Sequence, residues 1–200
     1  GPLDTGDLLG ILQAADHQTP CIVRVPAADE VAIKKVLDLG AGGVIVPQVN
    51  TPEQTADVVR WSRYAPLGAR GVGLARAHGY GLRFQDYMQS ANEQVAVIVQ
   101  AEHALAAENI EKIVKVAGID AVLLGPYDLS ASLGHTGQLD HPAVVQAIDH
   151  ITKTCQNAKI PLGYFGVSAA SVKPMIDRGY TLIVAGVDTL RTAVFPFAGQ

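Results

Sequence analysis

Glu102 and Asp128 are the two residues whose type and spacing could do chemistry together. Each closes an apolar run of strand length, residues 95–102 (VAVIVQAE) and 119–128 (IDAVLLGPYD). Runs that are apolar without alternation read as strands buried on both faces, as in a parallel sheet covered by helices. Between them, residues 104–117 carry Leu105, Ile110, Ile113, Val114 and Val116 at helical spacing and stop at Gly118. Strand, helix and strand form one right-handed unit, so the two strands are parallel neighbours about 4.8 Å apart. Both carboxylates then converge on the carboxyl edge, where such sheets bind ligands, close enough to share one cation. Taken singly, Glu102 reads equally as a cap of the following helix and Asp128 as a cap of the turn at Leu129 and Ser130.

The elements that must position this pair alternate along the chain. Residues 3–16 read as a helix, 21–26 as a strand, 30–39 as a helix capped by Asp29, and 43–47 as a strand. Thr51 caps a helix reaching residue 64, with Pro52 in its first turn. Residues 66–81 hold five glycines and no clean period. They read as a functional loop over the site's mouth, and their glycines match no phosphate-binding fingerprint. Helix 84–92, helix 142–157, strand 161–165, helix 169–178 and strand 182–185 complete the pattern. Six strands, each followed by a helix, make an α/β protein, either a TIM (β/α)8 barrel or a doubly wound sheet. Polar residues at the ends of non-adjacent strands suit the barrel, although a barrel needs eight strands. Arg24 lies inside an apolar strand, where a buried guanidinium needs an anion, structural or bound.

Composition narrows the function classes. With 48% hydrophobic residues and a net charge of −4, residues 1–200 are expected to form a single soluble domain. No basic patch suggests nucleic acid, and no apolar stretch has the length of a membrane span. Cys21 and Cys155 are too few for a disulfide framework or a thiolate metal site, and the N-terminal residues lack signal-peptide character. A cytoplasmic setting is expected. The six histidines show no metal-binding spacing; His78 and His135, in loops assigned to the site's face, are the only candidate bases. Trp61 and Tyr64 read as packing residues, and Lys34 and Lys35 as a solvated face.

The chain closely resembles the HpcH/HpaI aldolase/citrate lyase family, metal-dependent class II pyruvate aldolases such as 2-keto-3-deoxy sugar acid and 4-hydroxy-2-oxoheptanedioate aldolases. The matching stretches are VRVP (23–26), IKKVLDLGAGGVIVPQVNTPEQ (33–54), RYAPLGARGVG (63–73), QAE (100–102), GIDAVLLGPYDLSASLG (118–134) and AGVDT (185–189). The resemblance implies a (β/α)8 barrel in which Glu102 and Asp128 bind a divalent cation, Mg2+ or Mn2+, with Co2+ a further candidate. It implies that Arg24 holds the carboxylate or enolate oxygen of pyruvate with Gln100 nearby, and that the backbone amides of Tyr127 and Asp128 bind the pyruvate carboxylate. Asp38, in the LDLGA stretch, corresponds to a further catalytic aspartate. Its place near a helix end, opposite the strand ends, assigns it to a neighbouring subunit of a homo-oligomer, a hexamer by resemblance. The family's catalytic histidine lies in a DxEHG-like motif, and Gly1 to Asp4 look like the residues after it. The first two strands and the base are therefore expected to be missing from this chain.

The residue types agree with that chemistry. Two carboxylates without a histidine or cysteine ligand make a hard, oxygen-rich site. A 2-oxo acid chelated there would meet a Lewis acid, with Arg24 adding positive charge to the same oxygen. No lysine ends any of the six strands, which disfavours a Schiff-base aldolase. Tyr127 and Ala101 depart from the family's usual residues, and Phe165 stands where it would narrow the aldehyde side. The expected partners are thus a small 2-oxo acid and an aldehyde. Two alternatives stay open: a noncatalytic metal- and pyruvate-binding assembly subunit, and a CoA-ester lyase of the citrate lyase β or malyl-CoA lyase type.

Overall fold

A computed structural model of the chain describes residues 3–15 and 18–186. Six strands, β1 (Ile22–Arg24), β2 (Gly43–Val46), β3 (Ala96–Ala101), β4 (Ala121–Leu124), β5 (Leu162–Gly166) and β6 (Leu182–Ala185), form one sheet, parallel throughout and ordered as in the sequence. The helices are α1 (Thr5–Ala15), α2 (Glu30–Asp38), α3 (Pro52–Ser62), α4 (Phe84–Gln94), α5 (Ala104–Ile113), α6 (Pro126–Ser132), α7 (Pro142–Asn157) and α8 (Ala169–Asp177). The expected caps are in place: Asp29 accepts from Ala32 N–H at 2.9 Å, and Thr51 from Gln54 N–H at 3.2 Å. Each fixes a helix start by satisfying an orphan amide, at about 1 kcal/mol.

Register separates the two faces of the sheet. Arg24 pairs with Ile45, Ile45 with Ile98, Ile98 with Ala121, and Gln100 with Leu123, so these side chains share one face. The apolar cluster on that face, Ile45, Ile98, Ala121 and Leu123, consists of strand residues alone. On the other face Val44, Val46, Val97, Val99, Val122 and Leu124 join Ile33, Leu37, Val58, Ile110 and Ile151 of the helices in the main core. A doubly wound sheet would carry helices on both faces and reverse its strand order. Helices on one face and strand order without reversal make a curled half-barrel wall instead.

Two expectations fail here for topological reasons. Arg24 is exposed, not buried, because β1 has only β2 beside it among the described strands and its inner face carries no helix. Residues 66–81 do not cover the site's mouth. Helix α3 packs between α2 and α5 on β3 and returns the chain toward the strand starts, so the residues between its end and the start of β3 lie at the amino edge, opposite the strand ends. There Arg76, in a 3-10 turn (Arg76–Gly81), donates to Leu39 O at 2.9 Å and Leu12 O at 3.0 Å, tying the segment to α2 and α1. His78 is buried in the same segment, its Nδ1 accepting from Gly81 N–H at 3.1 Å.

The amino edge is closed by Arg63. Its guanidinium donates to Asn92 O (2.7 Å), Val95 O (2.6 Å), Gly118 O (3.2 Å) and Asp120 Oδ2 (2.8 Å), joining the starts of β3 and β4. Cys155 is fully buried, and burial pushes its thiol up to about 12, so it is inert.

Candidate active site

Glu102 follows β3 on the face that carries Gln100, and only 3% of it is exposed. The neighbouring loop orients it: Gln48 N–H, just past β2, donates to Glu102 Oε1 at 2.9 Å. Glu102 does not cap α5. That role falls to His103, whose Nδ1 accepts from Leu105 N–H at 3.1 Å. Asp128 caps no turn either. Pro126 at the first helical position opens α6, which the sequence reading missed, and places Asp128 in its first turn behind Gly125, the N-cap. With seven residues and a mixed apolar and polar pattern, α6 has too little periodicity to be legible.

The two carboxylates and Arg24 meet at one cavity of about 340 Å³, lined also by Pro47, Gln48 and residues 26–28. Burial pushes the Glu102 carboxyl above its ordinary range; Gln48 N–H pulls it down, the Asp128 carboxylate pushes it up, and Arg24 pulls it down again. Gln100 lies alongside. It is buried, and its Oε1 has no hydrogen-bond partner. Gly125 is the spacer that admits both groups: a Cβ there would stand 2.8 Å from Glu102 Oε2 and 3.0 Å from Gln100 Nε2.

This donor set fits a hard divalent cation. Both candidate ligands are carboxylates, and Gln100, two residues before Glu102, has a buried carboxamide oxygen without a partner. Among the described residues no cluster of three or more acidic, histidine or cysteine side chains could hold a metal alone. A cation held by two carboxylates keeps positions open for substrate and water.

Other expected site residues lie elsewhere. Tyr127 stands at the start of α6, 53% exposed. Asp38 ends α2 at the amino edge, where Arg70 Nη2 donates to its Oδ1 at 2.8 Å and Lys34 to its Oδ2. Lys34 is therefore an ion-pair partner and not part of a solvated face. Arg70 is buried, with its guanidinium 4.5 Å from the Tyr64 ring centre and 5.8 Å from that of Tyr87. Neither candidate base lines the cavity: His78 lies at the far edge, and the His135 ring stacks on His141 with centroids 3.4 Å apart. Asp188 lies outside the described residues. Gln48 and Gly125 were missed as site residues; the only signals were that each abuts a strand end.

A model of the HpcH/HpaI aldolase/citrate lyase family matches residues 4–193. The chain is 43% identical over 191 residues to a 4-hydroxy-2-oxovalerate aldolase from Rhodococcus jostii, covering 94% of this chain and 73% of that one. It is 39% identical over 197 residues to a hydroxypyruvate/pyruvate aldolase from Paraburkholderia phytofirmans, covering 94% and 75%. Among solved structures, a HpcH/HpaI aldolase/citrate lyase family protein from Burkholderia cenocepacia superposes with a TM-score of 0.87 at 38% identity, over 93% of this chain and 76% of that one. More distant structures, such as a citrate lyase from Burkholderia xenovorans at 12% identity and TM-score 0.63, share the fold alone. No described helix is long and apolar enough to cross a membrane.

Proposed function

Since the chain belongs to the HpcH/HpaI aldolase/citrate lyase family, we propose that it is a metal-dependent aldolase that cleaves or forms 2-keto-3-deoxy or 4-hydroxy-2-oxo acids, with pyruvate and an aldehyde as the other side of the reaction. Its scaffold is a single (β/α)8 barrel domain, of which the described residues form six strands. The observation that carries the reading is the convergence of Arg24, Glu102 and Asp128 on one cavity.

Glu102 and Asp128 would hold a divalent cation, Mg2+ or Mn2+, which when bound supplies Lewis-acid polarisation of a 2-oxo group. The chain's own residues do the rest. Arg24, exposed at the cavity, binds the anionic oxygens of the 2-oxo acid and offsets negative charge as it develops. Gln100 orients from the sheet face. The first-turn amides at Tyr127 and Asp128 have no side-chain cap and are free to donate to a carboxylate. Phe165 lies near the end of β5, on the face shared with Gln100, and limits the acceptor side.

Asp38 acts in the site of a second copy. It cannot reach the cavity of its own chain, and beside it the segment 72–82 leaves Val72, Leu74, Tyr80 and Leu82 largely exposed, a surface suited to a homo-oligomer. One observation favours the runner-up, a noncatalytic pyruvate-binding subunit: no described histidine lines the cavity. Pyruvate methyl-proton exchange in deuterated water, followed by NMR, separates the two readings. Exchange that needs Mn2+ or Mg2+, stops with EDTA, and disappears in Glu102→Ala and Asp128→Ala is the expected result. Metal binding without exchange would leave the binding subunit.

A further inference from the structure

Gln48 is one of three non-glycine residues with positive φ among the described residues, at φ 54°; the others are Tyr80 and Lys159. Lys159 follows the end of α7, where a left-handed residue commonly ends a helix, and Tyr80 belongs to the kinked 3-10 turn. Gln48 has no such excuse. It stands between β2 and α3 on the wall of the cavity, and its side chain is exposed. A side-chain-bearing residue in this region is strained, and such strain persists where the surroundings over-determine it.

Its main-chain amide has a defined task. The N–H donates to Glu102 Oε1 at 2.9 Å, across from β2 to the end of β3. Glu102 Oε2 occupies the space that Gly125 leaves by lacking a side chain, since a Cβ there would stand 2.8 Å from it. The Gln48 amide is thus the backbone tether of this carboxylate. Resting on the metal reading above, we infer that Gln48 is a positioning residue: its left-handed backbone aims an amide that fixes the Glu102 carboxylate for cation binding. The side chain itself is not required, only a backbone that stays in this conformation.

The test is a series at position 48 ranked by tolerance of positive φ: Gly and Asn, then Ala, then Val. Mn2+ affinity of the whole protein is measured by electron paramagnetic resonance of the free ion, with thermal unfolding in EDTA as the stability control. Partners that orient a ligand are typically worth 10–100-fold in metal affinity. Gln48→Val should therefore weaken Mn2+ binding about 10-fold or more, Gln48→Ala by less, and Gln48→Gly and Gln48→Asn by under about 3-fold. Should Gln48→Val fail to fold, the order of Gly, Asn and Ala carries the same test. Equal affinities across folded variants overturn the inference. So does equal weakening in all of them, which would assign the effect to the side chain. A wild-type protein that binds no Mn2+ overturns the metal reading itself, and the inference with it.

Discussion

The two edges of the sheet use the same residue types to opposite ends. At the amino edge, Arg63 spends its guanidinium on three carbonyls and Asp120, and Arg70 is buried between two tyrosines and paired with Asp38. At the carboxyl edge, Arg24 is exposed, Glu102 is buried beside a second carboxylate, and Gln100 Oε1 has no partner. Satisfied polar groups hold a fold together, whereas unsatisfied ones keep capacity for a ligand. Arg63 makes the amino edge the anchor, although Arg70 Nε there also lacks a partner beside Asp38, and the open carboxylates make the carboxyl edge this chain's own site.

The comparison breaks most visibly at Arg63. Arg63→Ala strands buried carbonyls, while the half-exposed Asp120 carboxylate keeps the Val97 N–H bond, so chemical denaturation should register a loss of about 2–4 kcal/mol. Glu102→Gln should do the reverse. Its buried carboxyl has a raised pKa, so the folded state favours the protonated acid, and stability falls as pH rises from the unfolded range through the folded pKa. At neutral pH the metal-free protein therefore bears the cost of a buried charge. The amide removes it and still accepts from Gln48 N–H. Metal-free Glu102→Gln should be more stable by roughly 0.5–2 kcal/mol at pH 7, with the gain shrinking toward acid pH, while Mn2+ affinity drops at least about 100-fold. A loss of stability would place Glu102 among the anchors.

Gly125→Ala sharpens the point. The added methyl must displace Glu102 or Gln100, at about 1–3 kcal/mol of overpacking, and the displacement should show as weaker Mn2+ binding.

The strands and most helices were legible because their signals are local: unbroken apolar runs at 95–102 and 119–124, and caps at Asp29 and Thr51. Which edge a segment occupies is not local. Residues 66–81 look like a lid by composition, yet the direction of α3 sends them to the far edge, and His78 goes with them. Arg24 sits in an apolar run, but β1 has a single neighbour among the described strands and leaves it exposed. The carboxylate pair was legible because two strand ends in one unit must converge. Gln48 and Gly125 were not, since one acts through its amide and the other through a missing side chain.

The smallest expected effect comes from an ion pair that looks as good as the Arg63 one. Arg178 Nη2 meets Asp149 Oδ1 at 2.6 Å, shorter than the 2.8 Å between Arg63 and Asp120. Distance alone would rank it higher. Both aspartates are similarly exposed, 41% for Asp149 and 47% for Asp120, but Arg178 is 40% exposed against 6% for Arg63, so water and salt already satisfy its charge. Pairs of this kind contribute about 0–1 kcal/mol, and side-chain ordering cancels much of that. Arg178→Gln should cost under about 0.5 kcal/mol in denaturant melts, with nothing left at 1 M salt, where the screening length is about 3 Å. A cost approaching that of Arg63→Ala would mean that burial is not what separates anchoring arginines from the rest, and the contrast between the two edges would lose its physical basis.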